Sequence, residues 1–180
     1  MQQDNHSNNM FEKYGLPPMP LVEKVFDEIG FDLKHFHVVA SVEEMRNTAE
    51  ALGMGEAATS KYSETTRALR IAPDPQDKLP DLQIIIRYPF ANGLYQGIRD
   101  QVFRWEEGPH RIEQTGERID ELFDHGADDR MVLFLILHEV GHDQYRHIEV
   151  TDDEIWERQE READHWALGK MDEAGLTSYL

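Results

Sequence analysis

The chain has no cysteine among its 180 residues, which removes one class of stabilising and metal-binding chemistry. No disulfide framework can form, and no thiolate can hold a metal ion. Any bound metal must therefore use histidine and carboxylate ligands. The absence of cysteine is also typical of a cytoplasmic protein, and we expect that location.

Basic residues are scarce, since 18 lysines and arginines stand against 36 aspartates and glutamates, a formal charge of -18. Such a surface repels phosphate groups, so we expect no nucleic-acid partner and no docking to anionic membranes. Long apolar runs are missing as well. The longest one, residues 131–137, is far too short to span a bilayer. The first nine residues are polar and predict no signal peptide.

Length and composition favour one soluble domain. Apolar residues make up 39% of the chain, enough for a sizeable core. Residues 1–10 are rich in Gln and Asn and predict a disordered arm. Residues 11–180 are then expected to form a single domain.

Apolar periodicity and capping signals predict mixed secondary structure. Helices are predicted at 21–29, 41–52, 112–123, 128–146 and 152–174. Strands are predicted at 36–40, 65–71, 82–88 and 101–105, and a loop at 55–63. Capping boxes are expected at Ser41 and Thr151, where a glutamate follows three residues later. The three isoleucines in 82–88 suit either a sheet edge that pairs with a substrate or a core strand.

The most informative segment is His138-Glu139-Val140-Gly141-His142, an H-E-x-x-H pattern. Histidines four residues apart lie one turn apart on one helix face, so both imidazoles can reach one Zn²⁺. Glu139 can then act as general base toward water at the metal and pass the proton to a leaving amine.

The surroundings of the motif favour a metal site over a coincidence. A five-residue pattern can arise by chance in a chain with nine histidines. Residues 132–137, however, are all apolar, which predicts a helix that is buried on most sides. Two histidines and a glutamate are costly to bury in such a helix unless they have partners.

A catalytic zinc ion usually has three protein ligands, so a third donor is needed. The pattern with a third histidine, H-E-x-x-H-x-x-G-x-x-H, fails because Tyr145 and Ile148 occupy its Gly and His positions. On the last predicted helix, Glu160 interrupts an apolar stripe, and a buried carboxylate needs a partner or a metal. We therefore predict Glu160 as the third ligand, with Glu162 as the alternative.

Neighbouring residues are candidates for supporting roles. Asp164 lies one turn beyond Glu160 and is predicted to accept the spare ring N–H of a ligand histidine. One of Tyr145, Arg146 and His147 could stabilise a developing oxyanion, or these residues could simply end the helix. His165 faces away from the stripe and is expected on the surface.

H-E-V-G-H followed by E-R-E-A-D-H-W-A resembles the gluzincin-type metallopeptidases, over residues 131–168. The apolar lead-in and the small domain are most similar to the ImmA/IrrE family and the compact minigluzincins. The resemblance implies that His138, His142 and Glu160 bind zinc. It also implies that Glu139 is the general base.

The sequence thus predicts an α+β, zincin-like domain. A small twisted sheet would pack on the H-E-x-x-H helix, with a C-terminal ligand helix behind it. The predicted function is zinc-dependent hydrolysis of a protein or peptide substrate. Two alternatives remain open: a zinc-binding regulatory or protein-interaction module with little turnover, and a structural zinc site with His147 or Glu162 as fourth ligand.

Overall fold

A computed structural model describes residues 9–64, 66–73, 81–88 and 128–176, which form a mixed α/β fold. Five α-helices lie in these ranges: α1 (Pro20–Ile29), α2 (Val42–Ala51), α3 (Glu56–Thr59), α4 (Asp128–Gln144) and α5 (Asp153–Glu173). The three strands are β1 (Phe36–Val39), β2 (Ala68–Ile71) and β3 (Gln83–Arg87). Short 3-10 helices at Glu12–Tyr14 and Leu33–His35 precede α1 and β1.

Two predicted elements, the strand at 101–105 and the helix at 112–123, lie wholly outside the described residues, and so do the first eight residues of the N-terminal arm. At Asn9, the first described residue, the side-chain amide donates a hydrogen bond to the Leu16 carbonyl at 2.9 Å. In the described ranges, none of the helices combines the length and the apolar character needed to cross a bilayer.

The sheet has the strand order β1-β3-β2, so β3 is the central strand of the described sheet. β1 runs parallel to β3 and β2 runs antiparallel to it. Ile84, Ile85 and Ile86 of β3 are at most 1% exposed. β-Branched side chains suit a strand that is covered on both faces. The core interpretation of residues 82–88 is therefore correct, and β1 and β2 take the edge positions of the described sheet.

Side-chain caps mark the starts of α2 and α5. The Ser41 hydroxyl accepts a hydrogen bond from the Glu44 N–H at 3.1 Å, as predicted for the start of α2. The cap of α5 is Asp152 rather than Thr151, because Asp152 Oδ1 accepts from the Ile155 N–H at 2.9 Å. The predicted loop at 55–63 is also wrong in part, since α3 forms one helical turn there.

Helix α4 runs through the centre of the core. Every residue from Val132 to Leu137 is at most 7% exposed. α1, α5, β2 and β3 all contact this helix. The apolar segment of α4 is thus buried throughout, in agreement with the prediction of a helix buried on most sides.

The backbones of helices α4 and α5 lie close together at a glycine. A Cβ on Gly141 would lie 3.0 Å from the Ala163 carbonyl oxygen and 3.1 Å from Ala163 Cα. A side chain here would push the two helix backbones apart by a few tenths of an ångström, so glycine suits the position best. The pair Gly141–Ala163 therefore brings the histidines of the motif within reach of α5.

Candidate metal centre

Helix α4 presents three polar side chains directly after its apolar segment. His138, Glu139 and His142 are 9%, 8% and 9% exposed, so each is almost removed from water. Buried ionisable groups are stable only with partners that satisfy their charge and hydrogen bonds. The partners of the two histidines come from α5 and from the turn that follows α4.

Three candidate ligand atoms converge between α4 and α5. The Nε2 atoms of His138 and His142 lie 3.0 Å apart. The two carboxylate oxygens of Glu160 lie 3.4 Å from His138 Nε2 and 3.4 Å from His142 Nε2. Tetrahedral coordination with bonds of about 2.0–2.1 Å separates neighbouring donors by roughly 3.3 Å. These three residues could therefore hold a metal ion with little rearrangement.

Glu160 and Glu162, the two carboxylates predicted as possible third ligands, lie on different sides of α5. Ala163, Ala167 and Met171 are fully buried, and Glu160 lies on their side of the helix. Glu162 instead contacts His147, with its Oε2 atom 2.8 Å from His147 Nε2. The structure thus brings Glu160, and not Glu162, to the two histidines of α4.

Asp164 lies at the ring nitrogen of His138 opposite the candidate metal position. His138 Nδ1 and Asp164 Oδ1 are 2.7 Å apart, and Asp164 is 2% exposed. The ring N–H donates to the carboxylate, which leaves the Nε2 lone pair directed toward Glu160 and His142. This is the arrangement that the sequence predicted for Asp164.

His147 lies behind His142, a placement that the sequence did not suggest. Its Nδ1 is 2.9 Å from His142 Nδ1, and its Nε2 contacts Glu162. Both ring nitrogens are therefore engaged, which leaves neither to bind the metal as a fourth ligand or to contact an oxyanion. His147 is a partner of a candidate ligand rather than a ligand itself.

A sharp turn after α4 carries His147 to this position. Arg146 has a φ of 54°, in the left-handed region, and the His147 N–H donates to the His142 carbonyl at 2.9 Å. Such a turn ends the helix, so helical periodicity says nothing about the residue after it. A helix that ends in a left-handed turn usually has glycine there, and an arginine at this position does not indicate such a turn in the sequence. Tyr145, at 51% exposure, and Arg146 face solvent.

Burial and neighbouring charges shift the proton equilibria of the centre. Burial alone would lower the pKa of His138, but the Asp164 and Glu160 carboxylates outweigh it and raise that pKa well above its ordinary value. Burial raises the pKa of Glu139, against the opposing effect of the two histidines. Burial would also raise the pKa of Glu160, but hydrogen bonds with both histidines lower it. Without metal, the centre therefore favours a charged carboxylate beside a protonated histidine.

A cleft of about 430 Å³ lies over the centre. α4 and α5 form one wall, and Tyr62, Leu69 and Arg70 contribute to the other. Burial, together with Glu149 and Glu139, raises the pKa of Tyr62 to about 12, so its hydroxyl keeps its proton at neutral pH. The cleft thus gives a ligand access to the three donor atoms and to Glu139.

Two imidazoles and one carboxylate, with no sulfur donor, suit a divalent transition-metal ion. The group of His138, His142 and Glu160 meets that description within the described residues. Comparisons of the chain with models of protein families, with curated proteins and with solved structures found no match.

Proposed function

We propose that this chain is a zinc-dependent metallopeptidase of the gluzincin type, with a zincin-like fold. One observation carries the proposal. The Nε2 atoms of His138 and His142 and the carboxylate of Glu160 converge at separations of 3.0–3.4 Å beneath an open cleft. Glu139, a buried carboxylate outside this group, lines the same cleft.

Zinc suits this donor set because catalytic zinc sites typically use three protein ligands and keep one position open. Both histidines also have a partner at the other ring nitrogen, Asp164 for His138 and His147 for His142. Such partners fix the orientation of metal-binding imidazoles. When bound, zinc supplies Lewis acidity that polarises a scissile carbonyl and makes a water molecule more acidic.

Glu139 moves the proton in the proposed reaction. Its pKa is raised by burial, which brings the carboxylate closer to the acidity that suits a general base at neutral pH. The carboxylate accepts a proton from the water whose oxygen attacks the carbonyl carbon of the peptide. It then delivers that proton to the amide nitrogen as the C–N bond breaks, so one water is consumed and a carboxylic acid and an amine are released.

An extended peptide is the substrate class that best suits the cleft. Ala68, Leu69 and Arg70 of β2 line it. Among the described strands, β2 pairs with β3 on one side only. A strand edge offers backbone groups that an extended peptide can pair with. The charge of -18 disfavours a nucleic-acid substrate.

The proposal is tested with the native chain, Glu139→Gln and the matched control Glu157→Gln. Glu157 is a partly buried glutamate on α5 that does not line the cleft. Each chain is loaded with zinc and incubated with a mixed peptide library, and the products are identified by mass spectrometry. We expect cleavage by the native chain and the control, loss of cleavage with a chelator, and recovery when zinc is restored. Glu139→Gln should bind zinc as before but lose activity by about 10²–10⁴-fold.

Two results would contradict the enzyme. The first is a zinc-loaded native chain that cleaves no peptide, and the second is a Glu139→Gln variant as active as the native chain. Tight zinc binding without turnover would favour the regulatory or protein-interaction module instead. Failure to bind zinc at all would contradict both functions.

A further inference from the structure

We propose that His147 and Glu162 form a relay that positions His142 and strengthens its bond to the metal. The inference rests on the proposed zinc centre, but it does not depend on peptidase activity. Two contacts define the relay: His142 Nδ1 to His147 Nδ1 at 2.9 Å, and His147 Nε2 to Glu162 Oε2 at 2.8 Å.

The proton positions along the relay follow from these contacts. A neutral histidine that binds a metal through Nε2 carries its proton on Nδ1. His142 must therefore donate across the 2.9 Å contact, and His147 accepts at its own Nδ1. The remaining proton of His147 is then on Nε2, where it donates to the Glu162 carboxylate. Only one tautomer of each ring satisfies both contacts, so the relay fixes which nitrogen of His142 faces the metal.

The interposed imidazole solves a problem of charge burial. Three carboxylates already lie buried or nearly so around the centre: Glu139, Glu160 and Asp164. A fourth buried carboxylate behind His142 would be costly. The Glu162 side chain is 43% exposed and that of His147 only 6%. A neutral ring therefore brings an acceptor into the buried site while the negative charge stays in contact with water.

The backbone of His147 is held from two sides. Its N–H donates to the His142 carbonyl at 2.9 Å. Its carbonyl accepts a hydrogen bond from Arg70 Nη2 at 2.6 Å, across the cleft on β2. With both backbone groups engaged, the ring has little freedom to leave His142. This is the rigidity that a positioning residue requires.

The test measures zinc affinity of the full chain by competition with a chromophoric chelator. His147→Phe keeps a ring but removes the acceptor, and we expect zinc to bind about 10–100-fold more weakly. In His147→Asn the amide oxygen occupies nearly the position of Nδ1 and can accept from His142, so most of the affinity should return. Glu162→Gln keeps an acceptor without its charge and should lose less than His147→Phe. Glu157→Gln, on the same helix, should bind like the native chain.

A spectrum separates positioning from general stability. The visible absorption of the cobalt-loaded chain reports the ligand geometry around the metal, and it should change in His147→Phe but not in Glu157→Gln. Native zinc affinity in His147→Phe would overturn the relay, and so would a His147→Asn variant as weak as His147→Phe. If His147→Phe does not fold, the other two variants still test the relay. Native zinc affinity in Glu162→Gln would contradict it, and so would a loss of about 10–100-fold in His147→Asn. Because the readout is metal affinity, an inactive native chain would refute the peptidase and leave the relay standing.

Discussion

Replacing Gly141 with alanine tests the close approach of α4 and α5 with a single added atom. The new Cβ would lie 3.0 Å from the Ala163 carbonyl oxygen and 3.1 Å from Ala163 Cα, where ordinary contacts begin at 3.4 Å. The obstacle is backbone, so the two helices must separate by a few tenths of an ångström. Overpacking costs about 1–3 kcal/mol, and alanine in place of a helical glycine gains about 1 kcal/mol, so we expect a net loss of about 0–2 kcal/mol.

Gly169→Ala is the matched control for this change. Gly169 lies inside α5, and outside its own helix no atom of the described residues comes within 4 Å of the position that a Cβ would take. Only the gain in helix propensity applies there, so this variant should be about 0.5–1 kcal/mol more stable than the native chain. The difference between the two variants, about 1–3 kcal/mol, isolates the contact between the helices.

Urea unfolding in the presence of a chelator measures both free energies of unfolding, and a chelator competition measures zinc affinity. Separating the helices also moves Glu160 away from His142, so Gly141→Ala should bind zinc at least about tenfold more weakly. Gly169→Ala should bind it like the native chain. If Gly141→Ala gains as much stability as Gly169→Ala and keeps its zinc affinity, the two helices do not meet as described.

Two further predictions concern His138 and its partner. Asp164→Asn keeps a hydrogen-bond acceptor but removes the charge, so zinc affinity measured by chelator competition should fall about 10–100-fold; unchanged affinity would contradict the role of Asp164. In the metal-free chain the pKa of His138 is raised, so its contribution to stability is complete below the unfolded pKa of about 6.5 and is lost as pH rises toward the folded pKa. Urea unfolding with a chelator should therefore show that the free energy of unfolding falls above about pH 6.5, with a smaller fall in Asp164→Asn. A native chain without this fall would contradict a raised pKa of His138.

The parts of the centre that lie on helices were predictable from sequence, because helical phase is a local property. A spacing of four residues puts His138 and His142 on one face of α4. The same reasoning on α5 chose Glu160 over Glu162, and the structure brings Glu160 to both Nε2 atoms. Asp164 follows Glu160 by one turn and reaches His138.

Features that depend on turns and on long-range pairing were not predictable in the same way. His147 reaches His142 only through a left-handed turn at Arg146, which has no periodic signal. α3 is a single turn over Glu56–Thr59, too short to show helical periodicity. Three consecutive isoleucines indicate burial on both faces, but the position of β3 between β1 and β2 depends on partners far away in the chain, which the local pattern does not show.

Every candidate ligand and its partner lies between residues 138 and 164, on two helices and the turn between them. The facing wall of the cleft comes from a distant stretch that includes Tyr62 and Arg70. The donor atoms and the facing wall therefore lie in separate segments of the chain, linked by the hydrogen bond from Arg70 to the His147 carbonyl. If the chain is the proposed peptidase, substitutions at partly buried positions of the facing wall that do not contact the relay, such as Ala58, would change which peptide binds while the donor atoms stay as they are. A peptidase built in this way would acquire new substrate preferences without having to rebuild its metal centre.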